Sequence, residues 1–125
     1  MWHDDREGHD VVEGGTVELV RTLVTAAAGS YGANCALGTS AALGWVDTSS
    51  FRWVHHALYV STSSLTAAAV VAGLWKGSTT ALALVPTLVP LVLLQRHGAR
   101  PLPRHTRDAL AAAPCYAAGL ALAWR

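Results

Sequence analysis

Four histidines, His55, His56, His97 and His105, lie close in sequence to five arginines, Arg52, Arg96, Arg100, Arg104 and Arg107. Imidazole is the commonest transition-metal ligand, an axial ligand of haem, and the side chain that titrates nearest neutral pH. Three chemistries therefore compete for this set: a haem or metal site, a proton or pH-sensing site at His55 or His56, and an anion site. For metal the spacing is poor, because adjacent helical residues point about 100° apart and His55 and His56 cannot easily share one ion. No two histidines here stand three or four residues apart, and no CxxC, CxxxC or Cys/His zinc spacing occurs. For anions the arginines are well suited, since each basic residue near a headgroup layer contributes about 1 kcal/mol toward anionic lipid. The plainest account is that interfacial His and Arg tolerate headgroups and fix membrane topology.

These side chains can act together only if the chain brings positions fifty residues apart to one surface, and the charge distribution says how. All seventeen charged residues fall outside four windows, Thr22–Val46, Trp53–Trp75, Gly77–Gln95 and Ala109–Trp124, of 25, 23, 19 and 16 residues. A soluble helix needs a wet face and would scatter its charges. A bilayer forbids the scatter, because a mid-membrane charge costs at least about 2.5–3.5 kcal/mol. The sequence thus predicts an all-α integral membrane protein with four transmembrane helices in an up-down-up-down bundle, with spans at about 20–45, 53–75, 78–95 and 107–124. Residues 1–15 read as a polar, acidic, disordered tail, and residues 16–125 as the transmembrane domain. The tail lacks the basic-then-apolar order of a signal peptide, so the first window is expected to be retained as a span.

The second window would reach roughly 34 Å, enough for a hydrocarbon core of about 30 Å. Trp53 and Trp75 bracket it and Trp45 closes the first, as expected for rings at headgroup level. The fourth window is short, so Arg107 and Arg125 would snorkel to the two surfaces, and an interfacial helix is the competing reading. Alternating direction places His55, His56, His97 and His105 on one side with the five arginines. The cluster Arg96, Arg100, Arg104 and Arg107 makes that side cytoplasmic and leaves both termini outside.

Inside the windows the polar inventory is thin. Asn34 is expected to pair with Ser63 or Ser64 of the second helix, with a pore-lining role as the sharper alternative. Pro86 and Pro90 share one face of the third helix, each removing a backbone donor and favouring a kink. Small residues recur every four positions at Ala28, Gly32, Ala36, Ser40 and Gly44, and again at Ala111, Cys115, Gly119 and Ala123. Such ridges let helices approach closely, within one chain or between copies.

Neither a nucleophile paired with a base nor a phosphate loop or cofactor fingerprint is present, which argues against an enzyme. A net charge of +1 argues against nucleic acid as a partner. The absence of isoleucine and the single lysine fit a GC-rich prokaryotic genome, hence a plasma-membrane location. The expected role is that of an accessory or structural subunit whose partners are the bilayer, itself, or a larger membrane complex. The alternatives are a small oligomeric transporter or channel, and a haem- or metal-binding redox protein using the histidines. No cofactor is predicted outright.

Overall fold

A computed structural model describes residues 5–125, with side chains from residue 8 onward. Among these residues there is no strand, and the helices form four antiparallel rods. The first is α1 (Asp5–Ala42) and the second is α2 (Arg52–Trp75). The third consists of α3 (Thr79–Leu84), a 3-10 turn (Val85–Thr87) and α4 (Leu88–His97). The fourth consists of α5 (Leu102–Ala111) and α6 (Ala113–Ala123).

The helix ends follow from glycine. After α1, Gly44 adopts φ +73°, its N–H donates to the Ala41 carbonyl (3.1 Å), and Trp45 N–H donates to the Ser40 carbonyl (2.9 Å). Gly77 repeats the device after α2, with φ +67° and Ser78 N–H donating to the Gly73 carbonyl at 2.8 Å. A residue with a Cβ would be strained at either position, so glycine closes both helices and reverses the chain.

Two boundaries differ from the sequence reading. Residues 5–15 are the opening turns of α1, not a disordered tail, while residues 1–4 lie outside the described residues. An acid-rich start suits the positive end of a helix, and Gly14 and Gly15 cost only about 1 kcal/mol each, too little to stop it. The fourth rod begins at Leu102, earlier than expected, and is interrupted at Ala112. There Pro114 has no N–H to give, and the Ala112 carbonyl instead takes both Cys115 N–H (3.1 Å) and Tyr116 N–H (3.2 Å).

Packing runs through small residues. A Cβ on Gly73 would collide with the Ala81 side chain, and one on Gly119 would stand 3.1 Å from Leu84 Cδ2. These glycines set the close approach of α2 to α3 and of α6 to α3. By contrast Gly32, Ala36 and Gly44 of the α1 ridge face outward.

At the end holding the chain's C-terminus, Arg21 fastens α6 to α1. Its Nε donates to the Ala123 carbonyl (2.8 Å), its guanidinium lies 4.9 Å from the Trp124 ring centre, and its Nη1 pairs with Glu18 at 3.0 Å. Trp124 Nε1 donates in turn to Thr25 Oγ1 (3.1 Å). A cation at a helix C-terminus meets both the dipole and an orphan carbonyl.

Polarity is distributed unusually. Of the five largest fully buried side chains, Leu84, Val24, Thr62, Thr66 and Thr87, three are threonines. Meanwhile Val71, Leu82, Val89 and Leu110 stand on the outside, each about 60% exposed. Two rods, Arg52–Trp75 and Thr79–His97, are long and apolar enough to cross a membrane. The first rod falls short because its apolar part is mostly Ala, Gly, Ser and Thr, and the fourth because α5 carries Arg104, Arg107 and Asp108.

Candidate functional site

The antiparallel arrangement brings the start of α2, the end of α4 and the start of α5 to one end of the bundle. His55 and His105 meet there with ring centres 6.3 Å apart. His97 Nδ1 lies 2.9 Å from Asp108 Oδ2, and His105 Nδ1 lies 3.2 Å from the Gly98 carbonyl. A carboxylate and a carbonyl only accept, so in both rings Nδ1 carries a proton. His56 is exposed and turned away from His55 around the helix.

Asp108 is 3% exposed and sits just before the charge-free stretch of the fourth rod. His97 Nδ1 donates to its Oδ2, and Arg107 Nη2 stands 3.4 Å from its Oδ1, so each oxygen of the buried carboxylate has a partner. Arg52, Arg96, Arg100 and Arg104 are exposed and have no acidic partner among the described residues. Together with Arg107 they form a basic rim around the histidines.

Beneath this rim lies a cavity of about 270 Å³ between α1, α2, α4 and α5, with His55 and His105 in its wall. Leu91, Leu94, Leu102 and Leu110 give it apolar sides, and no Asp, Glu, Lys or Arg lines it. Three of its hydroxyls are already committed. Tyr31 Oη donates to the Ala109 carbonyl and Tyr59 Oη to the Leu91 carbonyl, both at 2.7 Å. Thr62 is hydrogen-bonded to Ser30 at 2.8 Å.

Asn34 is also among the lining residues, and its Oδ1 is buried without a partner. The expected pairing with Ser63 or Ser64 is not formed: Ser63 Oγ is itself buried and unpartnered, and Ser64 is exposed. The α1–α2 contact falls one turn away, at Ser30 and Thr62. A second link joins Thr66 Oγ1 to Tyr116 Oη at 2.7 Å. Thr66 spends its proton on the Thr62 carbonyl (2.6 Å), so Tyr116 must donate to Thr66. Pro86 lies within the 3-10 turn of the third rod, and Pro90 one turn later is buried.

The sequence reading missed Tyr59 and Thr62 as part of this site. A signal was available: His55, Tyr59, Thr62 and Thr66 stand at i, i+4, i+7 and i+11, hence on one face of α2. On α1, Tyr31, Asn34 and Gly38 are likewise aligned.

At the opposite end a wider cleft of about 500 Å³ lies between α1, the α2–α3 turn and the end of α6. Its charged groups, Glu13, Arg21 and Lys76, are of mixed sign, and Arg21 is engaged with Ala123. Among the described residues no three His, Cys, Asp or Glu side chains come together as a metal-ligand set. Comparison with known protein families, characterised proteins and solved structures gives no match, so the chemistry rests on these residues alone.

Proposed function

We propose that this chain is a four-span integral membrane protein of a prokaryotic plasma membrane, working as an accessory or interaction subunit through helix contacts. One observation carries the reading. Four threonines lie buried among the Val, Ala and Leu of the interior while Val71, Leu82, Val89, Leu110 and other large apolar side chains stand on the outside, a surface that suits lipid better than water. In hydrocarbon an outward leucine costs nothing, and the inward hydroxyls of Thr66 and Tyr116, and of Ser30 and Thr62, partner each other within the bundle.

In this placement the two rods that are long and apolar enough also supply most of the buried residues at the centre of the bundle. The small-residue first rod and the interrupted fourth rod complete the bundle with their interfacial ends held by Arg21, Trp124 and the His/Arg rim. The basic rim marks the cytoplasmic side and leaves both termini outside. The outward Gly32 and Ala36 of α1 support contact with a second helix, from another copy or a larger complex.

The test is alkaline carbonate extraction of membranes from cells making the full chain, combined with reporter fusions at Arg125. The expected outcome is retention in the pellet with an external reporter signal. Release into the supernatant overturns the membrane reading, and a cytoplasmic signal inverts the topology. Chemical crosslinking before solubilisation, followed by affinity purification, then reads the partner: a monomer alone sinks the subunit role.

A further inference from the structure

We infer that the basic rim is a binding surface for anionic phospholipid, whose charged headgroup is held by Arg52, Arg96, Arg100 and Arg104. The inference rests on the membrane reading and deepens it, because it names the lipid that the proposed cytoplasmic face selects.

Three observations carry it. The first is a positive charge that the chain does not neutralise. Five arginines, Arg52, Arg96, Arg100, Arg104 and Arg107, stand at this end against two carboxylates, Asp47 and Asp108. Asp47 accepts the Ser49 N–H at 2.9 Å, and Asp108 is buried with His97 and Arg107 as its partners. Arg52, Arg96, Arg100 and Arg104 are therefore exposed without an ion pair among the described residues. The opposite end is balanced, with Asp10, Glu13 and Glu18 matched in number by Arg21, Lys76 and Arg125. The excess belongs to one face and not to the whole molecule.

The second observation is that the fold holds three of these arginines together. Arg96 lies in the last turn of α4, Arg100 in the connection and Arg104 in the first turn of α5. This hairpin is closed twice, by His97 on Asp108 at 2.9 Å and by His105 on the Gly98 carbonyl at 3.2 Å. Like charges gathered in this way repel one another, and the first turn of α5 has no acidic residue to offset them. An anionic headgroup brings the missing charge, and a guanidinium fork can bond two phosphate oxygens at once.

The third observation separates a lipid from a soluble anion. Trp45, Phe51 and Trp53 stand largely exposed at the same end. Large rings beside arginines fit a surface that is charged at headgroup level and hydrocarbon below it. A soluble phosphate makes no use of the rings, whereas a phospholipid layer covers rings and arginines together.

The experiment is native mass spectrometry of the full chain in a neutral detergent, titrated with phosphatidylglycerol or with zwitterionic phosphatidylcholine of the same acyl chains. At about fivefold per arginine, equivalent to about 1 kcal/mol each, a headgroup reaching two or three of them is preferred about 25- to 125-fold. The triple variant Arg96→Gln, Arg100→Gln, Arg104→Gln is expected to reduce the preference to about fivefold or less, with phosphatidylcholine binding unchanged. Lys76→Gln with Arg125→Gln, at the balanced end, is expected to keep the wild-type preference. A wild-type preference below about tenfold overturns the lipid assignment and leaves the rim to an acidic protein surface. Full preference in the triple variant, or equal loss in the Lys76/Arg125 variant, overturns the site. Displacement of phosphatidylglycerol by inorganic phosphate at matched ionic strength overturns the lipid as its source.

A salt series on the wild-type chain keeps the inference refutable even if the triple variant fails to fold. Raising ammonium acetate from about 50 to about 500 mM should weaken phosphatidylglycerol alone, and a salt-independent preference contradicts binding through exposed charge. Carbonate extraction reports separately. Retention in the membrane without a lipid preference removes this surface alone, and a preference shown by a chain released from the membrane removes the integral placement alone.

Discussion

Val89→Lys distinguishes a membrane bundle from a soluble one more sharply than any substitution in the core. Val89 is 62% exposed near the middle of the Thr79–His97 rod, so the change breaks no internal packing. In water such a surface substitution moves stability by about 0.5 kcal/mol at most. In a bilayer the lysine costs about 2.5–3.5 kcal/mol at mid-helix, and the lost valine adds a few tenths. Position 89 is roughly 12–15 Å from either end of its rod, too far for the ammonium to snorkel freely to a headgroup. A total near 3–4 kcal/mol lowers the fraction inserted by roughly 100- to 1,000-fold at equilibrium, since each 1.4 kcal/mol is tenfold. The assay is the carbonate-resistant fraction of the full chain, compared with Gln95→Lys at the exposed end of the same rod. The control is expected to stay in the membrane while Val89→Lys is lost to the supernatant or degraded. Equal retention of the two variants would refute the reasoning.

Three further outcomes follow from the interior and the ends. Thr66→Val removes the acceptor for Tyr116 and leaves a buried phenol unpaired, so it should cost about 1–3 kcal/mol, against about 0.6 kcal/mol for Tyr116→Phe. Unfolding in mixed micelles reads the order, and a costlier Tyr116→Phe contradicts the donor assignment. Arg21→Met removes the bond to Ala123 and the contact with Trp124 but keeps the stem. Because Arg21 is part exposed the loss should be about 1–2 kcal/mol, and an unchanged unfolding midpoint counts against the clamp. Asp108→Ala takes the acceptor from His97 Nδ1 at a position only 3% exposed, so it should cost about 1–3 kcal/mol. Thermal unfolding in detergent reads the loss, and an unchanged midpoint removes this account.

The direction of the four rods was legible because charge-free windows and short connections permit little else, and that alone carried His55, His97 and His105 to one end. The hydroxyl pairings were not. Whether Asn34 or Ser30 meets α2 depends on a helix crossing that shifts the register by a single turn, and several hydroxyls in Ser61–Thr66 satisfy the same composition. Helix limits failed for a related reason. Proline can end a helix or open one: Pro103 sits in the first turn of α5, where its missing N–H has no partner to lose. The acidic opening looked like a tail because polarity was weighed without the helix dipole.

The Arg21 clamp also has a consequence in time. Its acceptor, the carbonyl of Ala123, lies 102 residues further along the chain. At a synthesis rate of roughly 5–20 residues per second, α1 stands for about 5–20 s before that carbonyl exists. During that interval the guanidinium and the small-residue faces of α1 have only α2 and the third rod to meet. Closure of the bundle then waits on the fourth rod, and a second chain or an insertion factor has its best opportunity to engage α1 before it.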